Sequence, residues 1–169
     1  HAMAYDRARQ RVVLFGGLSW SSGSYLDDTW EWDGNDWVLK ALAVSPPGRE
    51  RAAMAYDENL GRIVLHGGIA GSLQSEQFFD TWSWDGTEWV QLASGPPETR
   101  RHSHAMAFDG VSGRMILHGG VEFIASETYV DRQTTWEWTG STWQLVPTLV
   151  SPSARHDHSL VFDPVRERV

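Results

Sequence analysis

Histidine is the residue type in this chain best suited to chemistry, with seven copies and no cysteine beside them. His66 and His118 each stand immediately before a Gly-Gly pair. His1, His104 and His158 open short apolar stretches, and His102 and His156 precede two of those stretches by two residues. Imidazoles at equivalent positions of neighbouring units could converge on a metal, which needs a defined set of three or four ligands. The slot of His66 and His118 holds Phe15 in the first copy, however, and the slot of His104 holds Ala52. A position that also accepts Phe or Ala is expected to carry a packed or hydrogen-bonded imidazole. With no cysteine there is neither a thiolate ligand nor a thiol nucleophile, and no Ser-His-Asp or paired-carboxylate spacing stands out. The sequence calls for no cofactor.

A second set of residues suits binding. Trp20, Tyr25, Phe78, Phe79, Phe123 and Tyr129 are aromatic side chains that no internal periodicity requires, and Arg51, Arg100, His102 and His156 are polar residues of the same kind. Aromatic anchors beside charge recognise peptides and sugars. From this set we take Trp20, Tyr25, Arg51, Phe79, Arg100, His102, Phe123, Tyr129 and His156 as candidate ligand-binding residues. An aromatic in a long loop also folds back to cover a sheet, and in an extended stretch Phe78 and Phe79 point opposite ways, so at least one of them is expected to be packed.

The elements that must position these residues repeat. Asp28-Thr29-Trp30-Glu31-Trp32-Asp33-Gly34-Asn35-Asp36-Trp37 returns as Asp80 to Trp89 and, more loosely, as Thr134 to Trp143. The pairs Gly16-Gly17, Gly67-Gly68 and Gly119-Gly120 keep the same register, with Met3, Met54, Met106 and Leu160. Periods near fifty residues with strand-like content mean propeller blades or solenoid units. Repeats are expected over residues 1–52, 53–104 and 105–157, with the opening of a fourth at 158–169. The chain begins and ends in mid-repeat, as expected of a segment of a longer protein.

Each repeat reads as four short strands. The first, as in His1 to Asp6 with copies through Ser159 to Asp163, is apolar on both faces and predicts an interior strand. Asp and Arg then lie five residues apart across a tight turn (Asp6 and Arg11, Asp57 and Arg62, Asp109 and Arg114, Asp163 and Arg168). The second strand ends in the glycine pair. The third puts Trp30 and Trp32 on one face and Thr29 and Glu31 on the other, so half-burial is expected. Asp33-Gly34 predicts a primed hairpin turn before the fourth strand at Trp37. Arg49, Arg101 and Arg155 recur in the Pro-rich links, where bonding to carboxylates or carbonyls between units is expected, with Asp28 and Asp80 as candidate partners.

This order of signals resembles the kelch repeat: a Gly-Gly pair after the second strand, an aromatic third strand and a Trp opening the fourth. Thr134 departs from it, standing where Asp28 and Asp80 stand in the other copies. The resemblance covers nearly the whole chain. It implies an all-β, kelch-type β-propeller of about three four-stranded antiparallel blades plus the first strand of a fourth. The ring would be completed by further blades of the same chain or, as the less favoured alternative, by a second chain. It also implies a binding scaffold for a protein, peptide or glycan, because most of the family binds. Some members are enzymes on carbohydrates, and the alternatives are an accessory part of such an enzyme or a purely structural propeller. The copper oxidases among them use a Cys-linked Tyr, which these repeats cannot supply.

In such a meander the segment joining strands two and three emerges on the same face as the link to the next repeat. Segments 18–28, 69–80 and 121–133 carry net −6, and links 40–51, 92–103 and 146–157 carry net +3. Variable segments on a rigid scaffold are where recognition sits, so this face is the expected site. The whole chain carries −8, which excludes a nucleic-acid footprint. No apolar run approaches the ~18 residues of a membrane span, so no membrane insertion is expected.

Overall fold

The computed structural model describes residues 1–71, 76–125 and 128–169. The fold is all-β. Three four-stranded antiparallel sheets follow one another along the chain, each built from one repeat. The first holds β1 (Ala2–Asp6), β2 (Arg11–Ser19), β3 (Ser24–Trp32) and β4 (Trp37–Leu39) in sequence order. The second holds β5 (Ala53–Asp57), β6 (Arg62–His66), β9 (Asp80–Trp84) and β10 (Trp89–Ser94), and carries a two-stranded ribbon, β7 (Ile69–Ala70) with β8 (Glu76–Gln77). The third holds β11 (Ala105–Asp109), β12 (Arg114–His118), β15 (Thr135–Trp138) and β16 (Trp143–Val146). Its ribbon is β13 (Val121–Ala125) with β14 (Thr128–Asp131).

The Asp and Arg five residues apart face each other across the first turn of every sheet: Asp6 with Arg11, Asp57 with Arg62 and Asp109 with Arg114. Trp32 pairs with Trp37 across the third turn. That turn is a four-residue loop rather than a two-residue primed one. The Asp33 carboxylate accepts the backbone N–H groups of Asn35 and Asp36 at 2.8 and 2.9 Å, doing locally what a primed turn would do with backbone alone.

One face of each sheet packs on the opposite face of the next. Ala2, Val13 and Phe15 of the first sheet lie against Met54, Ile63, Leu65, Trp82, Trp84 and Trp89 of the second. Ala53 and Val64 of the second lie against Met106, Met115, Leu117, Trp136, Trp138 and Trp143 of the third. Small residues on one side and large ones on the other interdigitate, and each fully buried large side chain contributes roughly 1.5–3 kcal/mol. The large face of the first sheet is uncovered, leaving Met3 49% and Trp37 42% exposed.

Half-burial of the third strand holds in the third sheet, where Trp136 and Trp138 are buried and Thr135 and Glu137 only partly so. It is reversed in the first, where Thr29 and Glu31 are buried and Trp30 and Trp32 partly exposed, and it fails in the second. In β9 all of Thr81, Trp82, Ser83 and Trp84 are buried. The polar face is covered because its hydroxyls and carboxylates accept the indole N–H groups of the following sheet. Trp89 donates to Thr29 Oγ1 at 2.9 Å, Trp143 to Thr81 Oγ1 at 3.0 Å and Trp84 to Glu31 Oε1 at 3.0 Å. A second correction concerns Ser159 to Asp163, which forms no strand. Only an isolated bridge between Asp163 and Arg168 is present, because no complete second strand lies beside it to supply the ladder.

The glycine pair is a hinge in a continuing ribbon rather than a strand end alone. In the first sheet β2 runs through Gly16-Gly17 with a register shift and pairs on with β3 as far as Ser19 and Ser24. At Gly67 (φ +67°) a Cβ would meet the Arg101 carbonyl oxygen at 2.6 Å and the His104 ring at 2.8 Å. Conformation and space both require glycine there.

Candidate functional site

Links and ribbons meet on one face of the molecule. Glu50 bridges to Ile69, and His102 to Val121, so each link pairs with the base of the following ribbon. Arg51, Ser103 and Asp157 occupy equivalent places in three successive links and all have positive φ, at 55°, 55° and 52°. The Ser103 N–H donates to the Arg51 carbonyl at 2.9 Å, and the Asp157 N–H to the Ser103 carbonyl at 3.0 Å. Each such residue stores of order 1–3 kcal/mol of strain, and the chain of backbone bonds holds it.

Around this chain Arg51, His102, Tyr129 and His156 line a cavity of about 250 Å³ together with Ser103, Val121 and Asp131. Four of the nine candidate residues thus converge from three links and one ribbon. His102 is buried, and its ring lies 6.4 Å from that of Tyr129 in an edge-on arrangement. Burial, then the nearby Arg51 cation, lowers the His102 pKa to about 4, so at neutral pH the ring is an uncharged donor and acceptor. His156 is exposed, with Nδ1 2.8 Å from Asp131 Oδ1. Phe123 backs the wall, its ring 5.3 Å from that of Tyr129.

The remaining candidates lie apart. Trp20 stands at the tip between β2 and β3, 90% exposed. Tyr25 is half-buried and donates to the Gly71 carbonyl at 3.2 Å; burial, then Glu50, raises its pKa. Phe79 lies under the Arg100 guanidinium, 4.7 Å from carbon to ring centre. Phe78 packs against Arg49 at 3.8 Å, so both phenylalanines are engaged, each with its own arginine.

Ser103, Asp131 and Gln77 were missed by the sequence reading. Gln77 exchanges two hydrogen bonds of 2.7 Å with the backbone of Phe123 and so ties the second ribbon to the first. A polar residue of a variable segment aligned with no repeat position gave no signal for it. Residues 72–75 and 126–127, Glu127 of the acidic count among them, lie outside the described residues.

Two of the three repeated arginines bond between units as expected; Arg155 instead donates to Ser153 of its own link, and Asp28 accepts from Trp30 Nε1 rather than from an arginine. Arg49 donates to both oxygens of Asp80 and to the Gly67 carbonyl. Arg101 donates to the Gly119 carbonyl and to Thr134 Oγ1. The histidine pairs are packed: the His66 and His104 rings lie 5.7 Å apart, as do those of His118 and His158. Among the described residues no group of three or more His, Asp or Glu side chains is placed to hold a metal ion. No model of a known protein family matches the chain, and no curated protein does.

Proposed function

We propose that the three sheets are blades of a kelch-type β-propeller, and that the chain is a binding scaffold taking a protein, peptide or glycan at the face where links and ribbons meet. Four observations support the blade reading: four-stranded meanders, one per repeat, in-phase Gly-Gly pairs, sheet-on-sheet packing and inner strands that follow one another. The binding reading is carried by one observation, the convergence of Arg51, His102, Tyr129 and His156 on a single cavity whose rim is held by strained backbone. These groups offer donors, acceptors and an aromatic face. They include no activated nucleophile, which favours recognition over catalysis.

Probing glycan and peptide arrays with the whole chain tests the reading. A hit weakened at least tenfold by Tyr129→Ala or His156→Ala, at unchanged thermal stability, supports it. Hits that survive both substitutions remove the cavity from the proposal, and hits lost with Trp20→Ala instead move recognition to the ribbon tip.

A further inference from the structure

The second and third sheets use the same arginine against different partners. Arg49 places its two terminal nitrogens on the two oxygens of Asp80 at 2.6 and 2.9 Å, and Trp82 Nε1 donates to the same carboxylate at 2.6 Å. Thr134 stands at the equivalent place in the third sheet. Its hydroxyl accepts from Arg101 at 3.2 Å and from Trp136 Nε1 at 3.1 Å. A guanidinium and an indole N–H, arranged in one sheet to hold a carboxylate, meet in the other a neutral oxygen of half the capacity.

Three further features mark the place as open to an anion. Arg101 is 1% exposed, and its Nε has no partner among the described residues, as is also true of Arg100 Nε. A cavity of about 720 Å³ opens beside them, lined by Arg100, Arg101, Arg132, Thr134 and Trp136. Pro97, Glu98, Glu122 and Leu145 complete its wall. Arg132 donates through Nε and Nη2 to Glu122 and so pairs with it, which leaves Arg100 and Arg101 facing Glu98 alone. Burial lowers the Arg101 pKa only to about 10, and the guanidinium is charged at neutral pH.

We propose that this notch binds a carboxylate, that of a uronic-acid sugar, at the place Asp80 fills in the second sheet. Arg101 already donates through its terminal nitrogens to Gly119, Thr134 and the Glu98 carbonyl, and Arg132 is held by Glu122. The carboxylate therefore takes its donors from Arg101 Nε and Arg100 Nε, the two without a partner among the described residues. Glu98 selects the sugar over an acidic peptide, because a carboxylate in the wall accepts from ring hydroxyls and repels a second acidic side chain. Arg101, Glu122 and Arg132 alternate with His102, Val121 and Asp131 along the link and the third ribbon. The notch therefore lies on the opposite side of the ribbon from the cavity described above, and it does not rest on that proposal.

The experiment is calorimetric titration of the whole chain with D-glucuronate, D-glucose and N-acetyl-aspartate amide. Glucuronate is expected to bind, with the other two at least tenfold weaker. Thr134→Asp restores the internal carboxylate; it should remove glucuronate binding while raising the melting temperature. Arg132→Gln, at the half-buried rim, frees the Glu122 carboxylate to repel the ligand; it should weaken binding at least threefold and carries the test should the first variant fail to fold. Absence of glucuronate binding at 10 mM (roughly the weakest useful affinity), equal binding of glucose, or affinity unchanged in these variants overturns the carboxylate site. Equal binding of the aspartate derivative overturns the choice of a sugar.

Discussion

Arg49 and Asp80 form a two-pronged ion pair across the first and second sheets, with nitrogen to oxygen distances of 2.6 and 2.9 Å and the arginine side chain fully buried. Burial of Asp80 opposes its ionisation, yet the hydrogen bonds and charge of Arg49 outweigh this and hold the carboxyl below its usual range. Removing one partner of a buried pair leaves the other charge uncompensated, at a cost of about 3–5 kcal/mol. Asp80→Ala is expected to lose that much in urea denaturation. Asp80→Thr should lose less, because Arg101 and Thr134 show the arginine settling on a hydroxyl and a carbonyl.

The buried histidines predict a specific acid sensitivity. Where the strand before the glycine pair ends in Phe15 the next repeat opens with Ala52; where it ends in His66 or His118 the next opens with His104 or His158. The partner rings meet edge to face in each histidine case. His66 Nε2 lies 3.2 Å from the Thr99 carbonyl and Nδ1 lies 3.0 Å from Thr81 Oγ1, which assigns the proton to Nε2 and makes Nδ1 the acceptor. Burial brings the His66 pKa down to about 4 and His104 well below its ordinary value; it also lowers His118 and His158. A base whose pKa is lowered by folding binds more protons when unfolded. Its contribution is therefore complete above pH ~6.5 and is lost as pH falls toward 4, about 3 kcal/mol for His66 alone. The double variant His66→Phe, His104→Ala, which copies Phe15 and Ala52, should flatten that slope in denaturation curves taken between pH 4 and 7.

Position in the repeat made much of this legible. The facing Asp and Arg across each first turn, the Trp32 and Trp37 pairing and the Arg49 to Asp80 contact all follow from residues that recur in phase, since equivalent places in stacked units meet equivalent neighbours. What depended on a neighbouring sheet was not legible. Burial of Thr81 and Ser83 depends on the next sheet's tryptophans, and strand formation at Ser159 to Asp163 depends on the pairing it finds, which is a single bridge from Asp163 to Arg168. Both are tertiary effects that override a local pattern. At the site, Arg51, His102 and His156 stood out because they broke the repeat in its links. Trp20, Tyr25, Phe79 and Arg100 broke it too but sit elsewhere, because departure from a pattern marks a residue without saying where its side chain goes.

Thr81 joins two packing interfaces. Its hydroxyl accepts from Trp143 Nε1 and faces His66 Nδ1, each at 3.0 Å. Thr81→Val keeps the shape and leaves both buried groups unpartnered, at about 1–3 kcal/mol for each. Thr29→Val strands only the Trp89 indole. Urea denaturation should rank the two, with the Thr81 variant the less stable by at least 1 kcal/mol or roughly one unsatisfied group; equal losses would show that the His66 contact contributes nothing.

Ser103 gives the sharpest test of the strained rim. Its φ of 55° lies where side chains other than Gly, Asn and Asp are disfavoured, and it both donates to Arg51 and accepts from Asp157 through its backbone. Ser103→Gly removes the Cβ together with a hydroxyl in a long, 3.4 Å contact with His102 Nδ1, and keeps both backbone bonds. Relief of left-handed strain outweighs the added flexibility of the unfolded chain, and a gain of up to about 1 kcal/mol is expected. Ser103→Val places a β-branched residue in the same region and should cost at least as much as the glycine gains. Amide hydrogen exchange at Asp157 follows the rim itself: slower exchange in the glycine variant and faster in the valine variant are expected. Identical exchange in both would mean that the backbone chain does not depend on the geometry at Ser103, and the rim would then be held by the ribbons alone.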